Sequence, residues 1–299
     1  GAPVTYSAQV ESGGAIVYTT PQLVHRQYQG WRHLVRSNPM DAPLHVKHDI
    51  AALQRAGAVM PFNLANPSDV SRDWLAMMAS PSWRAPFGAN GVAQYMPMTG
   101  ARVDIGPTTA QNAIWLMRQS PAVQELALGQ CEASMAVPWN AVDATGRPLM
   151  LGVNVSGQFW TDGRASDTLK QQPDYAGTGW NPDSAHQPNL SYHAALLTGR
   201  RWCLDQLQAQ ATWQIVSEWP DPRAFDKGLV VGWFPQVRQK AWNLREVAMA
   251  AYLSPSDSEV GIYLNRILRS NVDYLVGKLP QWTSEQGDIH GYILGAGRD

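Results

Sequence analysis

The chain has little charge. Only 16% of its 299 residues are Asp, Glu, Lys or Arg, against about 25% in an average soluble protein. That composition excludes a disordered, coiled-coil or charged tail-like chain. The charges also nearly cancel, leaving −1 at pH 7, so no global basic field exists to hold a nucleic-acid backbone or an anionic membrane. Long apolar runs are missing: none approaches the roughly 18 residues of a membrane span, and no signal-peptide pattern opens the chain. Gly1 leads straight into a strand-like segment, so an export signal is expected to be absent or already removed. A secreted or periplasmic address is the favoured expectation.

Cysteine is equally scarce. Cys131 and Cys203 stand alone, with no CxxC and no Cys/His ligand spacing, which argues against structural zinc and for buried free thiols. Neither GxGxxG nor GxxxxGK[ST] occurs, so no phosphate cradle is expected. GxSxG is missing too, which removes the usual serine-hydrolase elbow. His45 and His48 are three apart at a helix start but lack an identifiable third ligand. No metal and no other cofactor is therefore expected.

What the chain does have is 44% hydrophobic residues and 13 Trp against 5 Phe. The first is enough for a sizeable core. Indoles either fill that core or form flat platforms on which sugar rings stack.

Along the chain, residues 1–40 read as β, with alternating runs at 4–10 and 15–20 and a Gly13-Gly14 turn. Residues 41–299 read as helical. A first helix at 48–56 stops at Gly57, and Asp69 is placed to cap a second reaching residue 79. Residues 81–106 are a Pro- and Gly-rich ordered loop. Three helix pairs then follow, at 107–119 with 122–136, at 188–197 with 200–218, and at 236–253 with 257–278. The irregular inserts 137–184 and 219–235 recur at one station of the repeat, so they should cluster on one face. The last residues, 291–299, read as the approach to a further element.

The stretches 102–118, 183–199 and 236–245 carry a resemblance. Their layout of paired helices resembles the (α/α) toroids of carbohydrate-active enzymes, the polysaccharide lyases and glycoside hydrolases. The resemblance implies a mainly α fold, an αα-hairpin array forming a complete or partial toroid with a small N-terminal β portion. It also implies a polysaccharide or oligosaccharide partner bound where loops enter the inner helices.

Those entry loops hold three sets of polar residues: Tyr95, Arg102 and Asp104; Asp183, His186, Gln187 and Tyr192; Gln236, Arg238, Trp242 and Arg245. For β-elimination, His186 or Tyr192 would be the base, Tyr192 or Tyr95 the acid, and Arg238 with Gln187 the neutralisers of a uronate carboxylate. For hydrolysis, Asp104 and Asp183 would be the carboxylate pair, with Asp49 or Glu218 in reserve. The bland readings are specific too. Asp104, Asp183 and the His48-Asp49 pair could cap helices, Arg238 and Arg245 could be structural ion partners, and Trp242 could be core. Under the alternative of a non-catalytic glycan-binding or assembly scaffold, Trp160, Trp180 or Trp233 would line a passive surface.

Overall fold

The computed structural model describes residues 2–35, 44–62, 70–98, 102–161, 177–232 and 236–287. These are mainly helical, with a small β portion at the N-terminus. Strand β1 (Val4–Tyr6) pairs antiparallel with β4 (Leu23–His25), and β2 (Gln9–Ser12) with β3 (Ala15–Thr19). Ser12 faces Ala15 across Gly13 and Gly14, whose φ angles of 60° and 79° are those of a two-residue hairpin turn that glycine adopts without strain. The ribbons are fastened to the helical body through the segment that follows them. Gly30 N donates to Met135 O at 2.6 Å, Gln29 Nε2 to Ala136 O at 2.6 Å, and Arg32 pairs with Glu132 at 2.7 Å.

The helices are α1 (Ile50–Arg55), α2 (Arg72–Met78), α3 (Ala110–Arg118), α4 (Pro121–Ser134), α5 (Tyr192–Thr198), α6 (Arg201–Ser217), α7 (Val237–Leu253) and α8 (Glu259–Gln286). Pairs α3/α4, α5/α6 and α7/α8 pack as hairpins, and α4/α5 and α6/α7 contacts join each hairpin to the next. Their starts follow local capping chemistry. Asp49 Oδ1 accepts from Ala52 N at 2.9 Å, so Asp49 is the cap of α1. The cap of α2 is Ser71; the expected cap, Asp69, lies outside the described residues.

Three boundaries differ from expectation by more than two residues. Helix α3 begins at Ala110 because the Thr109 side chain, not Pro107, organises its first turn. Helix α5 begins at Tyr192 rather than at residue 188, because Asn189 Oδ1 accepts from Tyr192 N at 2.9 Å and holds residues 188–191 outside the helix. Helix α8 continues through Pro280 instead of ending before it.

Apolar side chains form clusters around these hairpins. One joins α6, α7 and α8 to Leu149, Met150 and Leu151 of the first insert. A second joins α1, α3, α4 and α5 and contains both cysteines, which are free and fully buried. A third gathers Trp139, Trp180 and Trp213, the first and last 5.8 Å apart. Trp180 is thus core and not a surface platform. Trp160 is half-buried and donates to Ser217 O at 3.1 Å, and Trp233 lies outside the described residues.

Gly129 of α4 marks a close approach. A Cβ there would overlap Trp83 Cζ2 outright and lie 2.7 Å from Cη2, while the Trp83 indole N–H is tied to Glu125 at 2.9 Å. Gly129→Ala should therefore lower the urea midpoint, because overpacking of about 1–3 kcal/mol exceeds the roughly 1 kcal/mol that alanine gains in helix propensity. An unchanged or raised midpoint would mean that the indole swings away freely.

Candidate functional site

Two loops meet where the expected residues lie. The 94–96 segment bridges to Asn181, with Met96 N donating to Asn181 O at 3.0 Å and Asn181 N to Gln94 O at 2.8 Å. This sets Tyr95, 59% exposed, beside the segment that carries Asp183 two residues later. Arg102 then laces the loops together. Its Nε donates to Asp104 Oδ1 at 2.9 Å, and its terminal nitrogens donate to Met96 O at 2.9 Å and to His186 O at 2.7 Å.

Asp183 Oδ1 sits 2.6 Å from His186 Nδ1 and also accepts from Ala185 N at 2.8 Å. The carboxylate therefore fixes the imidazole and directs its Nδ1 proton inward, which makes Nε2 the nitrogen able to take a proton. Asp183 thus both shapes its loop and orients a histidine. Asp104 is buried against Arg102, and its Oδ2 has no hydrogen-bond partner among the described residues.

Behind the loops lies a buried polar seam on α6 and α7. Gln187 Nε2 donates to Gln214 Oε1 at 2.7 Å and to Asn243 Oδ1 at 2.9 Å, and its Oε1 accepts from Gln210 Nε2 at 2.9 Å. Asn189 Nδ2 donates to Glu246 Oε2 at 2.7 Å. Arg245 pairs with Glu246 at 2.6 Å, donates to Gln187 O at 3.0 Å and to Gly106 O, and stacks over Trp242 at 4.8 Å. Arg245 and Gln187 are thereby committed to the protein itself, and the Trp242 ring is covered on the side where Arg245 lies.

Glu218 follows the last turn of α6. Its Oε1 accepts from Gln239 Nε2 at 2.7 Å and Asn243 Nδ2 at 2.8 Å. Burial pushes its pKa up to about 7, with the charge of Asp183 adding to the rise and Arg223 opposing it. Burial likewise carries Glu246 to about 6 despite Arg245 and Asn189, because desolvation outweighs the ion pair.

The remaining expected residues fall differently. Gln236 is exposed before α7 and accepts from Arg238 at 3.5 Å, while Arg238 Nε is buried without a partner among the described residues. Arg238 and Trp242, four residues apart on α7, share a helix face. Tyr192 is not tied into the cluster. Its buried hydroxyl donates to Ala58 O at 2.7 Å, and burial raises its pKa further above the usual phenol value, so it is unsuited to either proton-transfer role. Asp49 caps α1. Among the described residues no group of three or more His, Cys, Asp or Glu is arranged to hold a metal ion, and no helix is long and apolar enough to cross a membrane.

The chain matches no protein-family model, no curated protein and no solved structure.

Proposed function

We propose that the protein is a carbohydrate-active enzyme that cleaves a uronate-containing polysaccharide by β-elimination, its three hairpins forming part of an (α/α) ring. The observation that carries this reading is the 2.6 Å contact between Asp183 and His186, which prepares an oriented imidazole base. Support also comes from Arg238, whose one side-chain hydrogen bond among the described residues is the 3.5 Å contact to Gln236, and from the exposed Tyr95 on the adjoining bridged segment.

In this mechanism Arg238 neutralises the uronate carboxylate, which acidifies the adjacent C–H bond. His186 Nε2 takes that proton. The C–H electron pair forms the new C=C bond as the neighbouring C–O glycosidic bond breaks, and Tyr95 gives its proton to the departing oxygen. Hydrolysis is less well served, because Asp104 is already matched to Arg102 and Asp183 to His186.

Incubation with a panel of uronate-containing and neutral polysaccharides, scored for unsaturated ends and for reducing ends, tests the proposal. Uronate polymers should give both signals in equal amounts, and His186→Ala should reduce turnover by about 10²-fold or more with the fold intact. Reducing ends without unsaturation would replace elimination by hydrolysis.

One observation favours a second reading, a non-catalytic glycan-binding or assembly scaffold. Arg102 and Arg245 direct their guanidinium groups at protein carbonyls and carboxylates, as loop-locking residues would. Retained binding of a polysaccharide with no cleavage of any polymer would select it.

A further inference from the structure

Cys131 and Cys203 are the only cysteines among 299 residues, and the fold brings them together. Cys131 lies in the last turn of α4 and Cys203 in the first turn of α6. The two helices run side by side there: three residues further along each, Gln206 Nε2 donates to Ser134 O at 3.1 Å. Both cysteines are 0% exposed and belong to one apolar cluster, and their thiols stand in hydrogen-bond contact. Cys131 Sγ also donates to Ser191 Oγ at 3.7 Å. A buried side chain touches only about 6–12 other residues, so placement without regard to each other would rarely put the sole pair in contact.

We propose that Cys131 and Cys203 are the two halves of a disulfide that staples α4 to α6, closed by exchange with a small disulfide such as oxidised glutathione. One cysteine attacks the oxidant as its thiolate, forming a mixed disulfide and releasing one glutathione. The other attacks the protein sulfur of that mixed disulfide, forming the Cys131–Cys203 bond and releasing the second. The two protons lost by the cysteines go to the two glutathione thiolates, and the two electrons reduce the oxidant.

Both thiols are free in this structure, and closure draws the sulfurs from contact to a bond of about 2.05 Å. Little else has to change. Ser191 Oγ loses the Cys131 donor but keeps Ser134 Oγ at 3.2 Å. A metal ion suits the pair less well, since a structural site takes four ligands and no third His, Cys, Asp or Glu joins them among the described residues. Burial and the neighbouring Cys203 hold the Cys131 thiol well above its usual pKa, so little thiolate exists in the closed fold. Exchange therefore proceeds while the chain is open. The link joins segments far apart in sequence and restricts the unfolded chain accordingly. None of this rests on the activity proposed for the Asp183–His186 site.

The test incubates the intact, reduced chain in a buffer of reduced and oxidised glutathione, with urea just below the unfolding midpoint so that the chain opens and recloses. Remaining thiols are then alkylated, and the mass and the proteolytic map are read. The product should be a single chain lacking two hydrogens, with the peptides of Cys131 and Cys203 joined. Its urea midpoint should lie above that of the same chain kept in dithiothreitol, and dithiothreitol added to the unfolded chain should remove the difference. Cys203→Ser should give one midpoint in both buffers. Two alkylated thiols after incubation, a link between chains only, or a linked chain with an equal or lower midpoint would each overturn the proposal. Should Cys203→Ser fail to fold, the wild-type chain in the two buffers still decides it.

Discussion

Arg223→Met should lower the unfolding free energy by about 3 kcal/mol or more, because each buried carbonyl left without a donor costs about 1–3 kcal/mol. Arg223 is 1% exposed and closes the end of α6. The last four carbonyls of any helix lack partners in the helix, and in α6 each finds a substitute. Gln214 O accepts from Ser217 Oγ at 2.8 Å, Ile215 O and Val216 O from Arg223 at 3.4 and 3.2 Å, and Ser217 O from Trp160 at 3.1 Å. The same guanidinium reaches Glu218 O, and on its other side Phe225 O at 3.3 Å, Gly157 O at 2.9 Å and Phe159 O. It therefore ties the helix end to the insert that precedes α5 and to the turn that follows α6. Burial lowers its pKa only to about 10, so it stays protonated at neutral pH and complements the negative end of the helix dipole. Methionine fills much of the volume but leaves these carbonyls unmatched. Arg223→Lys should restore little, because one ammonium cannot span both sides of the fork. A urea midpoint within error of wild type for Arg223→Met would show that water replaces the guanidinium at no cost.

Arg223 is also a residue whose role no local sequence pattern carries. The hairpins were legible because proline, serine and glycine stand at helix ends in the usual places. Ser120 and Pro121 start α4, and Gly199 ends α5. The entry loops were legible as the place where Arg102, Asp104, Asp183 and His186 would meet, since each precedes a helix in its hairpin. Their partners were not. Arg102 reaches His186 across 84 positions of the chain, and no local pattern announces such a pairing. Tyr192 looked equivalent to its neighbours, yet the Asn189 cap delays the helix and turns the hydroxyl to Ala58.

The buried seam left one trace in the composition. Helix α6 carries Gln206, Gln208, Gln210 and Gln214, which lie on more than one face and are all buried. A helix that is polar on a buried side needs partners from adjacent elements. Ser134 O takes Gln206, Ser254 Oγ takes Gln208, and Gln187 and Asn243 partner Gln210 and Gln214, while Gln239 and Asn243 fix Glu218, which the chain alone offers only as a reserve carboxylate. The signal was a low charge count combined with many amides, and it identifies a seam without saying which carboxylate lies in it.

The ionisation of Glu218 should make the protein less stable as pH rises from about 4.5 to about 7. Its carboxyl titrates near 7 when folded against an ordinary value of 4.5. Between those values the folded state keeps a proton that the unfolded chain has released. Stability then falls with increasing pH, by about 1.4 kcal/mol for each pKa unit of difference, or about 3 kcal/mol across the interval. Glu246, at about 6, should add a loss of about 2 kcal/mol between pH 4.5 and 6. The groups facing Glu218 are Gln239, Asn243, Arg223 and Asp183, and the favourable ones do not offset its burial. Glu218→Gln keeps the oxygen that accepts from Gln239 and Asn243 and cannot ionise. It should therefore match wild type near pH 4.5, exceed it by about 3 kcal/mol at pH 8, and retain only the slope due to Glu246. Urea unfolding of both proteins at pH 5 and pH 8 measures the difference, and parallel pH slopes would refute the assignment. A carboxyl that titrates near neutrality beside an Asp–His pair is also suited to hold or release a proton during turnover. The same substitution should therefore flatten the pH profile of any polymer cleavage, whereas a purely structural Glu218 would leave that profile unmoved.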